Sequence, residues 1–329
     1  MKIVSGSDLE SIQGYRLTES APPRAGAGEV TVNVAACGVG YVDVLVALGG
    51  YQVKPPLPHV PGSEVAGTVA EIGSGVEGLA VGQRVLAAVR GGFAEQAVAP
   101  ATAVFPIPET LDIGAAAALQ VNYLTALHGL RDRADLQPGE RLVVTGAAGG
   151  VGTAAVQVGK AMGAEVVAVA STAEKRSFAS DCGADHVLDS EVDGWRERLR
   201  DVLGGQGPDV IFDPLCGPLF EPAFRSLAWG GRHLVVGFVG GPIPALRANL
   251  PLMKGAGLLG VDVRQFKLFE AEKAAAHMRE LIAWSTDGHL SPALGKRFAF
   301  ADFAAAMEHA HKGRGCGKTI LDIAPAGVG

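Results

Sequence analysis

A chain of 329 residues is long enough for two domains at about 100 to 200 residues each, which excludes a miniprotein held by disulfides or metal. Its 28 Lys and Arg against 34 Asp and Glu leave a net charge of -6, so there is no global attraction to nucleic acid or to an anionic membrane. The hydrophobic fraction of 48% with 19% charged is globular; the 46 glycines follow no every-third period, which excludes collagen, and alternate with apolar runs, which argues against disorder.

No apolar run approaches the roughly 18 to 20 residues of a membrane span. Met1-Lys2-Ile3-Val4 turns polar at Ser7, Asp8 and Glu10 before a signal peptide's apolar core can form, so a soluble, cytoplasmic chain is expected. Cys37, Cys182, Cys216 and Cys316 are scattered, with no Cys-x-x-Cys pair, and read as reduced thiols.

Residues 1 to about 120 are rich in β-branched residues and broken by Gly and Pro, the pattern of short strands and turns. Glu29 to Ala35 alternates with period two and Glu64 to Gly73 reads as a second strand. Pro55-Pro56-Leu57-Pro58-His59-Val60-Pro61-Gly62 can be neither helix nor central strand. From about residue 122 the pattern becomes apolar strand, glycine turn, amphipathic helix. Strands are expected at 141–145, 165–170, 209–213, 233–237 and 257–261, the alternation of a parallel sheet with crossover helices. A helix follows from Leu268 to Ser285, on which Leu268, Phe269, Met278, Leu281 and Ile282 share an apolar face. The last strand, Lys318 to Ile323, matches the N-terminal region in β character, so the tail is expected to return to the first domain. The fold class is then α/β, a β-rich domain formed by residues 1–123 and 266–329 with a doubly wound cofactor domain, 124–265, inserted in it.

Strand 141–145 runs directly into Gly146-Ala147-Ala148-Gly149-Gly150-Val151-Gly152 and then a helix. Glycines let the backbone turn sharply and approach a pyrophosphate, whose charge sits against the helix N-terminus. Strand, loop, helix and second strand in this order make the motif specific for a nucleotide, although Ala147 stands where G-x-G-x-x-G has its first glycine. A purely structural turn is the alternative. An NAD site normally ends its second strand with Asp or Glu; here stand Ala170, Ser171 and Thr172, with Lys175 and Arg176 one turn on. A hydroxyl and two cations suit a 2′-phosphate, and the expected cofactor is NADPH. The alternative for Lys175 and Arg176 is that they face solvent.

The sequence resembles the medium-chain dehydrogenase/reductase superfamily, in its zinc-free quinone oxidoreductase (zeta-crystallin-like) branch. The resemblance covers nearly the whole chain. It rests on Pro61-Gly62-Ser63-Glu64-Val65-Ala66-Gly67, Gly92-Phe93-Ala94-Glu95-Gln96, Val121-Asn122-Tyr123-Leu124-Thr125-Ala126, the glycine loop and Gly317-Lys318. It implies a GroES-like β-rich catalytic domain and a Rossmann cofactor domain with the cleft between them. Zinc-dependent relatives look like Cys-Gly-Val-Cys-His-x-Asp where this chain has Cys37-Gly38-Val39-Gly40-Tyr41-Val42-Asp43, and like Gly-His-Glu at Gly62-Ser63-Glu64. The two ligand positions are Gly40 and Ser63, the four-cysteine structural lobe is missing, and no metal is expected.

Without zinc an alkoxide is hard to stabilise, whereas a quinone or enone accepting hydride needs only hydrogen-bond donors and a proton. The candidate donors are Tyr41, Tyr51 and Tyr123, of which Tyr41 and Tyr51 match cleft positions of the branch. Asn122 and Thr125 resemble nicotinamide-side contacts, with a helix terminus and packing as the alternative. Gly237, Phe238, Val239 and Val261 are expected to bring backbone to the nicotinamide, and Ser190 replaces a tyrosine that several relatives place beside the 2′-phosphate. The expected reaction is zinc-independent, NADPH-dependent reduction of quinones or small enones. The alternatives are an enoyl-thioester reductase and a non-catalytic NADPH-binding or RNA-binding protein. The net acidity and the lack of a basic, aromatic-interleaved stretch argue against nucleic acid. The branch implies a homodimer joined at an edge strand, for which 257–261 is the candidate.

Overall fold

The computed structural model describes residues 1–313 and 315–323. They form two units, one from Met1–Val121, Met278–Gly288 and the chain from Pro292 on, the other from Asn122–His277 and His289–Ser291.

The first unit opens with a hairpin, β1 (Lys2–Gly6) on β2 (Tyr15–Glu19). Strand β3 (Glu29–Val39) leads into the short helix α1 (Tyr41–Ala47); then come β4 (Glu64–Ile72), β5 (Arg84–Ala88), β6 (Gln96–Pro100), β7 (Val104–Pro106) and helix α2 (Ile113–Ala118). Strand β3 outruns its alternating segment because both its faces are covered beyond Ala35, with α2 packed against it. Residues 50–63, with the four prolines, carry no regular element.

The chain passes into the second unit within a π-helical turn, Leu119–Tyr123, which runs into α3 (Leu124–Leu127) and a second π segment, His128–Arg133. Then β8 (Arg141–Val144), α4 (Gly150–Ala161), β9 (Glu165–Val169), α5 (Ala173–Asp181), β10 (His186–Leu188), α6 (Trp195–Val202), β11 (Val210–Asp213), α7 (Phe220–Ser226), β12 (Arg232–Val235), α8 (Asn249–Lys254) and β13 (Gly257–Gly260) alternate. All strand pairs are parallel in the order β10-β9-β8-β11-β12-β13, the doubly wound order, which reverses between β8 and β11. Val143, Val167, Ile211, Trp195 and Phe224 fill its core.

The expected helix 268–285 is two helices, α9 (Val263–Phe269) and α10 (Ala271–Thr286), separated by Glu270 at φ -130°, ψ 48°. The break changes the helical phase. Met278, Leu281 and Ile282 are buried as expected, whereas Leu268 and Phe269 are 67% and 77% exposed and Phe266 takes the inward place. The last elements among the described residues are β14 (Leu294–Ala299), α11 (Phe303–Lys312) and β15 (Lys318–Asp322). Strand β15 pairs with β3 and with β14, so the tail lies in the first unit's sheet, ordered β14-β15-β3-β4-β5-β7 with β6 on β3.

The units divide at Val121/Asn122 and His277/Met278, where the sequence placed the limits at 123/124 and 265/266. Residues 263–277 stay with the second unit. Phe266 stacks on His128 at 3.9 Å between centroids, and His277 Nε2 lies 3.0 Å from Asp132 Oδ2.

Candidate functional site

In the second unit the expected cofactor residues gather at the C-terminal ends of the strands. Gly146 takes the left-handed conformation, φ +56°, and Gly149 is the N-cap of α4. Ala147, where the motif has a glycine, is fully buried with its N–H on the carbonyl of Val169 (3.1 Å). The left-handed residue is its neighbour, so alanine there costs the turn nothing. A Cβ on Gly152 would lie 2.2 Å from the Gly146 oxygen, so this glycine lets α4 close onto the loop. Gly150, Val151 and Gly152 present the first-turn N–H groups of α4, which have no i−4 acceptor in the helix. Ala148 is buried in the same loop. Asn122, 8% exposed on its π turn, brings its amide beside Gly150, 2.5 Å from where a Cβ would stand. Thr125 is buried on α3, which packs on α4.

At the end of β9, Ala170 donates its N–H to Leu188 and Ser171 is exposed. The Thr172 hydroxyl caps α5 by accepting from the N–H of Lys175 (3.2 Å), and Arg176 folds back so that Nη1 donates to the carbonyl of Ala170 (3.1 Å). A cation therefore stands over a strand end that carries no carboxylate. Asp189, just beyond β10 and beside Ser190, accepts from the Glu191 N–H and from Arg198, both at 2.9 Å. The N–H of Glu191 and then Arg198, against a small burial cost, hold that carboxyl below its usual range. Gly237, Phe238 and Val239 follow β12, with Phe238 and Val239 about two-fifths exposed. Val261 follows β13; its side chain is buried facing Gly129 and its N–H donates to Val235.

Tyr123 departs from expectation as a donor. It is 1% exposed, and its hydroxyl donates to Oε1 of Gln157 (3.1 Å), whose amide in turn holds Ser291.

In the first unit Tyr41 opens α1 with its ring stacked on His311, 5.7 Å between centroids and 24° apart, and Tyr51 is half-buried in the segment after α1. Beneath α1 lies a charge cluster that sequence reasoning did not single out. Lys318 and Glu64, 4% and 1% exposed, form an ion pair, and the other oxygen of Glu64 accepts the N–H of Val121 (2.8 Å). Asp43 accepts from the N–H of Gly40 and the hydroxyl of Ser63, both at 2.8 Å. Burial alone would lower the Lys318 ammonium, but the Glu64 and Asp43 carboxylates hold it above its ordinary value. Burial, then the charges of Asp43 and Glu64, push the Cys37 thiol well up, so it is inert. The signal in the sequence was two charged residues, Glu64 and Lys318, each opening an apolar strand.

A zinc ion does not fit this cluster. Gly40 has no side-chain donor, Ser63 is committed to Asp43, and among the described residues no group of three His, Cys, Asp or Glu is set to hold a metal.

A doubly wound sheet with a phosphate-type glycine loop, accompanied by a β-rich unit built from both ends of the chain, is the class of the two-domain nucleotide-dependent oxidoreductases. Residues 26–109 match the alcohol dehydrogenase GroES-like domain and residues 150–282 the zinc-binding dehydrogenase domain. The chain is 33% identical over 297 residues to quinone oxidoreductase-like protein 2 of Bos taurus, covering 90% of this chain and 85% of that protein. It is 39% identical over 239 residues to a homologue of that protein in Nematostella vectensis, spanning 72% of this chain and 65% of the relative. The quinone oxidoreductase of Thermus thermophilus, whose structures include an NADPH complex, superposes with a TM-score of 0.82 at 33% identity, covering 98% of this chain and 100% of that one. The CurK enoyl reductase superposes with a TM-score of 0.89 at 25% identity, covering 98% of this chain and 99% of that one. The chain belongs to the medium-chain dehydrogenase/reductase superfamily, in its quinone oxidoreductase branch.

Proposed function

We propose that this protein reduces quinones or small α,β-unsaturated carbonyls with NADPH and without a metal. One observation carries the cofactor choice: β9 is followed by Ala170 and Ser171, with Arg176 folded over the Ala170 carbonyl and no carboxylate in that turn. An adenosine 2′-phosphate finds a hydroxyl and a cation, with Lys175 on the same turn, whereas the 2′-hydroxyl of NADH finds no acceptor. Gly149 to Gly152 and the N-terminus of α4 hold the pyrophosphate. The Asn122 amide beside Gly150, Thr125, the Gly237–Val239 segment and Val261 orient the nicotinamide half. When bound, NADPH supplies the hydride. Tyr41 and Tyr51 present hydroxyls and rings for a flat acceptor, and water delivers the proton to the reduced oxygen.

The likeness to an enoyl reductase supports a second reading, reduction of an enoyl thioester. A kcat/KM higher for an acyl-CoA or carrier-bound enone than for the free enone selects it; the reverse order selects the first. The assembly we propose is a homodimer joined at β13, which among the described residues pairs only with β12 and carries Leu258 at 40% exposure; Trp229 and Leu252 are also exposed, at about 80%. Initial rates with NADPH and NADH test the proposal. A clear NADPH preference with a quinone or enone supports it, and no turnover of either acceptor removes it.

A further inference from the structure

Asp213 ends β11 at the point where the strand order reverses, and nothing in the proposed function uses it. It is 1% exposed. Its Oδ1 accepts from the hydroxyl of Thr145 (2.5 Å) and from the N–H groups of Leu215 (3.1 Å) and Cys216 (2.9 Å), and its Oδ2 lies 3.1 Å from Nε2 of His233. Thr145 follows β8 and His233 lies in β12, so one carboxylate ties together three adjacent strands. His233 is fully buried between the rings of Phe220 and Phe224, and its Nδ1 has no partner among the described residues.

The loop this carboxylate holds, 214–217, is itself unusual. Cys216 has φ +46°, a conformation that L side chains rarely adopt and that here is held by the Asp213 hydrogen bonds. The loop is also a wedge between both halves of the cofactor crevice. On one side the Leu215 side chain comes within 3.0 Å of a Cβ placed on Gly146 of the glycine loop. On the other, the Leu215 carbonyl accepts from the N–H of Gly240 (2.8 Å), and the Pro214 oxygen lies 2.9 Å from a Cβ placed on Gly237.

We propose that Asp213 is a positioning residue for the nicotinamide half of the cofactor: through loop 214–217 it sets the segment 237–240 against the glycine loop. The inference rests on the NADPH reading. The adenosine end does not depend on this loop, since Ser171 lies in the turn after β9 and Lys175 and Arg176 stand on α5. Loss of the carboxylate therefore separates two affinities that a general loss of structure would move together. An asparagine at 213 keeps the three bonds to its oxygen. Its NH₂ then faces Nε2 of His233, which accepts if the imidazole proton moves to the vacant Nδ1. Asp213→Asn therefore rescues, while Asp213→Ala removes all four interactions.

The test is equilibrium titration of parent, Asp213→Ala, Asp213→Asn and Thr145→Val with NADPH and with 2′,5′-ADP, together with kcat. Asp213→Ala is expected to weaken NADPH about tenfold and to lower kcat by as much as about 100-fold, the scale of a 1 Å misplacement, with 2′,5′-ADP within about twofold of parent. Asp213→Asn returns close to parent. Thr145→Val, which keeps the shape, shows a smaller split in the same direction and carries the test if Asp213→Ala does not fold. Equal shifts for the two probes, or none, overturn the proposal. A parent protein that binds neither probe overturns the cofactor reading itself.

Discussion

Replacing Gly152 with alanine separates the packing role of the glycine loop from its binding role. The new Cβ would stand 2.2 Å from the Gly146 oxygen and 2.8 Å from Ala147 Cα, both backbone atoms that cannot rotate away. Restoring an ordinary 3.4 Å contact to that oxygen requires the loop and α4 to part by about 1.2 Å, the difference between 3.4 and 2.2. Overpacking of this kind costs about 1 to 3 kcal/mol, offset by at most about 1 kcal/mol from alanine's better helix propensity. A net loss of about 1 to 2 kcal/mol is expected in urea unfolding, with NADPH affinity falling as the first turn of α4 is displaced. Gly149→Ala is the control. Its Cβ meets the same oxygen at 3.4 Å and its φ is -77°, so stability should stay within about 0.5 kcal/mol while the methyl crowds the pyrophosphate and weakens NADPH. Parent-like stability and affinity in Gly152→Ala would refute the close-packed loop. A Gly149→Ala protein that is destabilised but binds normally would refute the placement of the phosphate.

Further outcomes follow from the buried charges and the strand ends. Lys318→Met leaves Glu64 buried and unpaired and should cost about 3 to 5 kcal/mol in denaturant unfolding, with Glu64→Gln in the same chain recovering part of it; additive losses would contradict the pairing. Asp132 accepts from His128, His277 and Lys273 at 2.8 to 3.0 Å. Burial opposes the Asp132 charge but these donors hold its carboxyl below the usual range, and burial lowers the His128 imidazole. Both folded values are depressed, so both contributions are present above the unfolded values and are lost as pH falls. The Tm should drop as pH goes from 7 to 5, through the imidazole range, and less steeply in His128→Gln; a Tm that rises on acidification contradicts the assignment. Arg176→Glu should reduce kcat/KM for NADPH by about tenfold or more with little change for NADH, and equal losses would show that the residue does not meet the 2′-phosphate. Leu258→Asp should convert a dimer to a monomer in light scattering, and a parent that is already monomeric removes the β13 interface.

The cofactor fold was legible because a parallel sheet announces itself locally. Each buried strand is a short apolar run, and the glycine loop marks the place where the backbone must turn. The break at Glu270 was not legible, since the apolar positions from Leu268 to Ile282 fit one helix as well as two; only Phe266 packing on His128 shows which residues face inward. The Asp213 cluster stayed hidden for a similar reason. Thr145 follows β8 and His233 lies in β12, and their meeting at Asp213 depends on sheet order, which no local pattern contains. Tyr123 looked like Tyr41 and Tyr51 as a phenol, and its partner, Gln157, lies 34 residues away in the chain.

The most direct measurement is the initial rate of NADPH and of NADH oxidation by chelator-treated protein, with a benzoquinone and a simple enone offered separately. The account predicts a rate that survives the chelator, prefers NADPH and appears with at least one of the two acceptors. A rate abolished by the chelator and restored by zinc, or one that prefers NADH, would contradict it.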